Sequence, residues 1–246
     1  MQNVYRSLGL TWFVHKVWIP YRHLPIPPTE RSFRSFLERL IQPGWSCIDV
    51  GANYGMMTEV MADRVGPSGA VTAFEAHPFN ASLLDRRLRL VGLRDRVTIE
   101  NKAVSDGTLD KLVLYAGRRR SPNEWNIVGH DVQGRSTKAV MEIPALSLDR
   151  YCGTSPVHLI KIDVEGAEVG VIAGMRSLMA EQKPICLVEF HNPEAWLSRK
   201  VFVEAGYQIF ELGGRPVPVE SEWMLHVLLW PPGAPPQASL FAAPES

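Results

Sequence analysis

The chain has 246 residues, with 26 lysines and arginines against 26 aspartates and glutamates, so its formal net charge is zero. That balance argues against nucleic acid or an acidic polymer as a partner. Length and an apolar content of 46% suit one large α/β domain with a substantial core, and no apolar run reaches the ~18 residues of a membrane span.

Met1 to Pro28 is rich in aromatic and basic residues, among them Tyr5, Trp12, Phe13, Trp18, Tyr21, Arg6, Lys16 and Arg22. An interfacial membrane helix has this character, but Pro20 breaks the stretch and it is only mildly basic. An arm packed on the domain, or on a second subunit as a homodimer contact, fits better. It lacks the plain apolar core and cleavage site of a signal peptide. Pro25 to Pro28 reads as a stiff linker. Arg31 to Ile41 reads as an amphipathic helix with Phe33, Phe36, Leu37 and Leu40 on one side. Residues 1–43 thus form an N-terminal arm and helix ahead of a domain over 44–230.

Ser46 to Val50 reads as a short, mostly apolar strand that ends in Asp49 and opens into a turn holding Gly51 and Gly55. Val60, Met61 and Val65 then follow at helical spacing. Strand, glycine turn and helix make a unit that brings a ligand close to the main chain and aims the free N–H groups of a helix at it. A tight βα turn that binds nothing has the same pattern. Ala70 to Glu75 is a second apolar strand, and it ends in the acid. An acid about 20 residues beyond a glycine turn is where nucleotide-binding α/β folds grip ribose hydroxyls. The dinucleotide fingerprint is absent, because Asn53 stands at its second glycine.

Further along, Asn80 to Val91 reads as a helix whose Arg86, Arg87 and Arg89 form a solvated basic face. Val97 to Glu100 reads as a third strand, leading into Asn101, Lys102 and Ala103; Asp106 suits a turn cap. Leu112 to Tyr115 and Ala139 to Pro144 read as two strands joined by an insertion, Gly117 to Lys138. Loops of about 20 residues inside compact domains are usually functional or disordered. With Arg118 to Arg120, Trp125 and His130, the insertion reads as a mobile substrate lid or else a solvated loop. His158 to Val164 and Ile185 to Phe190 are apolar strands, each with a helix after it (Ala167 to Met179, Glu194 to Glu204). Tyr207 to Glu211 and Leu225 to Trp230 are the last strands, and Pro231 to Ser246 reads as a disordered tail. Cys47, Cys152 and Cys186 are odd in number and scattered, which fits neither a disulfide framework nor a zinc site. A reducing compartment, and so a cytoplasmic location, is expected.

The alternation of strand and helix predicts a parallel sheet with right-handed crossovers. Ligands bind such sheets beyond the carboxyl ends of the strands. Asp49, Glu75, Asn101, Asp163, Glu165, Glu189 and His191 all fall there. Glu165 and Glu168 also sit where a helix dipole favours carboxylates regardless of chemistry, Asn192 is placed to cap a helix, and Lys161, inside a buried strand, needs an acid such as Glu189.

Three motifs carry a resemblance: Asp49-Val-Gly-Ala-Asn-Tyr-Gly55, Glu75-Ala-His-Pro78 and Ile160-Lys-Ile-Asp-Val-Glu-Gly-Ala-Glu168, the last being the most specific. With them the chain resembles the FkbM family of S-adenosylmethionine-dependent methyltransferases from roughly Gly44 to Tyr207. The resemblance implies a Rossmann-like class I methyltransferase fold: a seven-stranded, mostly parallel sheet with the last strand antiparallel and helices on both faces. It implies S-adenosylmethionine as cofactor. Asp49, Gly51, Asn53, Tyr54, Gly55 and Thr58 would lie against its methionine part, Glu75 and Ala76 at the ribose, and Asn101 and Ala103 near the adenine, with Asp163 beside the methyl group. It also implies a hydroxyl acceptor on a sugar or a secondary metabolite. A hydroxyl needs a base or a metal to become a nucleophile. His191 is the candidate base and Asp163 its orienting or acceptor-binding partner, with Glu165 beside them. Asp163, Glu189 and His191 also make a donor set for a divalent metal, though no spacing requires one. A non-catalytic S-adenosylmethionine-binding module and a nucleotide-dependent oxidoreductase are the alternatives.

Overall fold

The computed structural model describes residues 28–116, 125–127, 139–233 and 235–241. Two compact units are distinguished, Met1–Ser35 and Phe36–Ser246. Only the start of helix α1 (Pro28–Leu40) is described in the first, so the aromatic arm lies outside the described residues. In the second unit the end of α1 buries Phe36, Leu37 and Leu40 together with Ile41, as the amphipathic spacing predicts.

The central sheet is built from β1 (Ser46–Val50), β2 (Ala70–Phe74), β3 (Val97–Glu100), β8 (Leu159–Ile162), β9 (Ile185–Glu189), β10 (Gln208–Phe210) and β11 (His226–Trp230). Their order is β10-β11-β9-β8-β1-β2-β3. All ladders from β3 to β9 are parallel, and only β11 runs against its neighbours β9 and β10. This is the Rossmann-like methyltransferase sheet. Continuous apolar runs such as Leu159–Ile162 suit strands covered on both faces. The chain leaves β1 toward β2 on one side and returns to β8 on the other. The order therefore reverses beside β1, and the fold has its crevice there.

Helices α2 (Met56–Val65) and α3 (Pro78–Leu90) connect β1, β2 and β3. The helix expected over 167–179 is two short ones, α5 (Glu168–Ala173) and α6 (Arg176–Glu181). Their junction holds Gly174, where a Cβ would stand 2.0 Å from the Ser105 carbonyl oxygen. The expected helix over 194–204 is likewise α7 (Pro193–Leu197) and α8 (Lys200–Glu204), with α4 (Leu148–Cys152) lying earlier. Asn192 caps α7, its Oδ1 accepting from Ala195 N at 2.7 Å. All three cysteines are buried and unpaired.

A second sheet has the order β4-β7-β5-β6, from β4 (Ala103–Val104), β5 (Lys111–Ala116), β6 (Trp125–Ile127) and β7 (Ala139–Leu146). The two strands flanking the insertion are as expected, but the insertion itself contributes β6. The rest of it, including Arg118 to Arg120 and His130, lies outside the described residues, as does any lid role for them. The tail expectation fails in part. Ala238–Phe241 forms a 3-10 turn that buries Leu240. The Leu240 carbonyl accepts from Arg39 Nε at 2.9 Å, and the Phe241 ring lies 6.1 Å from those of Phe36 and Phe210.

Candidate active site

Asp49 is the fourth residue of β1, and the turn after the strand sets the site. Gly51 (φ 79°), Asn53 (φ 51°) and Gly55 (φ 87°) all take left-handed backbone angles. Glycine at 51 is required twice over, because a Cβ there would also lie 1.7 Å from the Asp163 carbonyl oxygen. The ends of β1 and β8 are thereby pressed together. Glu75, one residue past β2, clamps the turn: its Oε2 accepts from Asn53 N at 2.7 Å and its Oε1 from His77 N at 2.8 Å. Burial pushes the Glu75 carboxyl up to about 7 against these hydrogen bonds and one from Asn80, with the Asp49 charge adding to the rise.

A solvent-open cleft lies over this edge of the sheet. Among the predicted cofactor residues, Gly51, Asn53, Glu75, Ala76, Ala103 and Asp163 line it, and Leu114 of the second sheet adds an apolar wall. Asp49, Tyr54, Gly55, Thr58 and Asn101 are not in the lining. Three of these have structural tasks instead. Thr58 and Asp49 are fully buried, and Thr58 Oγ1 donates to Asp49 Oδ2 at 2.6 Å. Lys161 lies beside them, its Nζ 3.3 Å from Asp49 Oδ1 and 3.2 Å from Asp163 Oδ2. Its partners are therefore Asp49 and Asp163, not Glu189. Burial works against its charge, but these two carboxylates hold the ammonium well above its usual range. Asn101 braces the strand ends, its Nδ2 donating to the carbonyls of Glu75 and Ala76 at 2.8 and 2.9 Å. Asp106 caps a turn, accepting from Thr108 N at 3.0 Å. The arginine face of α3 is only partly solvated, because Arg87 pairs with Glu59 at 2.6 Å.

Next to the cleft, past the ends of β8 and β9, four carboxylates gather round His191. Its Nδ1 meets Glu168 Oε1 at 2.7 Å. Its Nε2 lies 3.4 Å from Glu189 Oε1, 3.5 Å from Glu165 Oε2 and 3.7 Å from Asp163 Oδ1. Glu189 Oε2 in turn meets His226 Nε2 at 3.1 Å, where β11 pairs with β9. Burial pulls the imidazole down, but its hydrogen bonds to the Glu168 and Glu189 carboxylates and the charges of Glu165 and Glu168 raise it to about 10. The arrangement therefore favours the charged imidazole over the near-neutral one expected of a base. Burial also acts to raise Glu189, yet the two histidines take its carboxyl well below the usual range. Asp163 and Glu165 line the cleft; His191 stands behind them.

A methyltransferase FkbM domain model matches residues 49–211, which takes in all three motifs and every acid and histidine just described. The chain belongs to the FkbM methyltransferase family. The methyltransferase is similar in structure to an rRNA-methylase candidate from Clostridium thermocellum (TM-score 0.51, 14% identity, covering 84% of this chain and 96% of that one). It also resembles the methyltransferase FkbM from Methylobacillus flagellatus (TM-score 0.49, 16% identity, covering 80% of this chain but 50% of that one). Its cofactor is S-adenosylmethionine, and the cleft suits it. The Glu75 oxygens each accept one backbone N–H and keep lone pairs for ribose hydroxyls. Asn53 Oδ1, buried in the lining and without a hydrogen-bond partner among the described residues, is an acceptor suited to an ammonium group. No helix among the described residues is long and apolar enough to cross a membrane.

Two contributors were not assigned from sequence. Glu168 belongs to the third motif but reads there as an ordinary first-turn acid. His226 sits in a plain apolar strand, and only its cross-strand register with Glu189 gives it meaning.

Proposed function

We propose that the methyltransferase acts on a hydroxyl oxygen of a small molecule or a sugar. The observation that carries this reading is the pair of carboxylates, Asp163 and Glu165, in the cleft wall just past the end of β8. When bound, S-adenosylmethionine supplies a methyl group on a positively charged sulfur, already activated for displacement. The chain's tasks are then alignment and handling of a proton. Glu75 takes the ribose hydroxyls, the backbone at Gly51 to Gly55 with Asn53 takes the amino-acid end, and Ala76 and Ala103 flank the base. Asp163 and Glu165 accept the hydrogen bond of the acceptor hydroxyl. With the methyl donor bound, one of these carboxylates would take the proton that the hydroxyl gives up on methylation. His191 has both ring nitrogens directed at acids, so it positions Asp163 and Glu165 and is not the base.

A labelled-methyl assay against sugars and hydroxylated metabolites tests this. The expected product carries the label as an ether that survives alkali. Label released by alkali as from an ester, or found on nitrogen, contradicts the reading.

A further inference from the structure

We propose that Trp223 is the platform on which a sugar ring of the acceptor lies during methyl transfer. This narrows the hydroxyl-acceptor reading, on which it rests, to a saccharide. Trp223 precedes β11, and β11 runs against β9. The start of β11 therefore lies at the carboxyl end of β9, on the sheet edge where ligands bind. The indole Nε1 donates to the Phe190 carbonyl at 2.7 Å, and Phe190 stands between Glu189 and His191 in the chain. The Phe190 N–H donates in turn to the Leu225 carbonyl at 2.7 Å. Trp223 is thus tied to the strand end from which His191 reaches to 3.5 Å from Glu165, one of the two carboxylates that take the acceptor hydroxyl.

The ring is exposed and yet fixed. Trp223 is 44% exposed, whereas Trp196, which packs on Phe190, is 3% exposed. A tryptophan that served packing alone would be turned inward as Trp196 is. Residues 219–225 lie outside the strands, and side chains fasten them. Trp196 Nε1 donates to the Ser221 carbonyl at 3.0 Å. Arg199, buried and 4.3 Å above the Trp196 ring, donates to the Val219 carbonyl at 2.6 Å. With the bond from Trp223 itself, positions 219, 221 and 223 are all anchored to the region around α7. A ring held in this way loses little freedom when a ligand stacks on it.

The surroundings decide what lies there. An indole alone takes any flat apolar ring. Asp163, Glu165 and Glu189 stand at the same sheet edge, and covering carboxylates without giving them donors is costly. A purely apolar ring is rejected on that account. A pyranose meets both demands, since its C–H face is apolar and its rim carries hydroxyl donors.

The test is saturation-transfer NMR on the full chain with S-adenosylhomocysteine present. Methyl pyranosides of glucose, mannose and their 6-deoxy forms are the probes, and cyclohexanol is the apolar-ring control. At least one pyranoside is expected to receive saturation on one ring face, with none on cyclohexanol. Its Kd should rise about tenfold or more in Trp223→Ala and less than about threefold in Trp223→Phe, which keeps a ring. Affinity for S-adenosylhomocysteine should be equal in all three proteins, because Trp223 is not in the cleft lining. An indole that only anchored its loop would act through Nε1, and Trp223→Phe would then be as impaired as Trp223→Ala. That result overturns the platform, as does the absence of pyranoside binding in the wild type, equal binding in all three proteins, or saturation of cyclohexanol. Label transferred to a non-sugar hydroxyl while no pyranoside binds removes the platform and leaves the hydroxyl-acceptor reading standing. Trp223-dependent pyranoside binding with the label found on nitrogen removes that reading and leaves the sugar subsite standing.

Discussion

Glu75 carries opposing demands in one side chain. It is 7% exposed and ties the glycine turn to the end of β2, and the proposed function also asks it to receive ribose hydroxyls. Its folded pKa, raised to about 7, lies above that of the unfolded chain. The sign follows: the contribution to stability is fully present below about pH 4.5 and is lost as pH rises through about 7, amounting to about 3 kcal/mol over that window. Ligand-free thermal melts should therefore fall across pH 5 to 8 in the wild type and flatten in Glu75→Gln. Hydroxyl donors favour the charged form, so affinity for S-adenosylhomocysteine should rise over the same interval. Behind the cleft, Lys161→Met leaves the buried carboxylate of Asp49 with only Thr58 as partner. Urea unfolding should show a loss of about 3–5 kcal/mol. A loss under 1 kcal/mol would mean that Asp49 needs no cation. The roles of Asp49 and Thr58 were not readable from sequence, because a hydrogen bond spanning nine residues between strand and helix leaves no periodic trace. Both sit beside a motif that is read as ligand-binding throughout, yet they brace the turn from beneath. The His191–Glu168 contact was hidden for the same reason, joining residues 23 apart on different elements.

At the scale of elements, what was legible is what burial on two faces writes into sequence. β1, β2, β8 and β9 are short apolar runs with acids at or just past their ends, and each was found within about two residues, the usual margin of such boundaries. β6 was not legible, since Trp125–Ile127 is three residues long and takes its strand form from pairing with β5. The breaks between α5 and α6 and between α7 and α8 were missed because apolar spacing continues across them. The 3-10 turn at Ala238–Phe241 was missed because a proline- and alanine-rich composition conceals two anchoring side chains. Leu240 is buried and Phe241 packs on Phe36 and Phe210. Deleting residues 236–246 should lower the unfolding free energy by about 2–4 kcal/mol in urea titration, as removal of buried leucine and phenylalanine side chains does elsewhere. A tail without anchors would be removed at no measurable cost.

For the whole molecule, strand order gathers the chemistry. β2 and β3 on one side of β1 bring Glu75 and Ala103. β8, β9 and β11 on the other bring Asp163, Glu189, His191 and His226. The cleft lies where the two halves part, with Gly51 against the Asp163 carbonyl at the seam. In the proposed function this cleft holds the cofactor with Glu75 on its ribose. Calorimetric titration with S-adenosylhomocysteine, on the wild type and on Glu75→Ala shown by melting to be folded, tests it directly. One site of micromolar affinity is expected in the wild type and a loss of at least tenfold in the variant, as when about 1.4 kcal/mol or more of hydrogen bonding is removed. Absence of binding in the wild type, or equal affinity in both proteins, contradicts it.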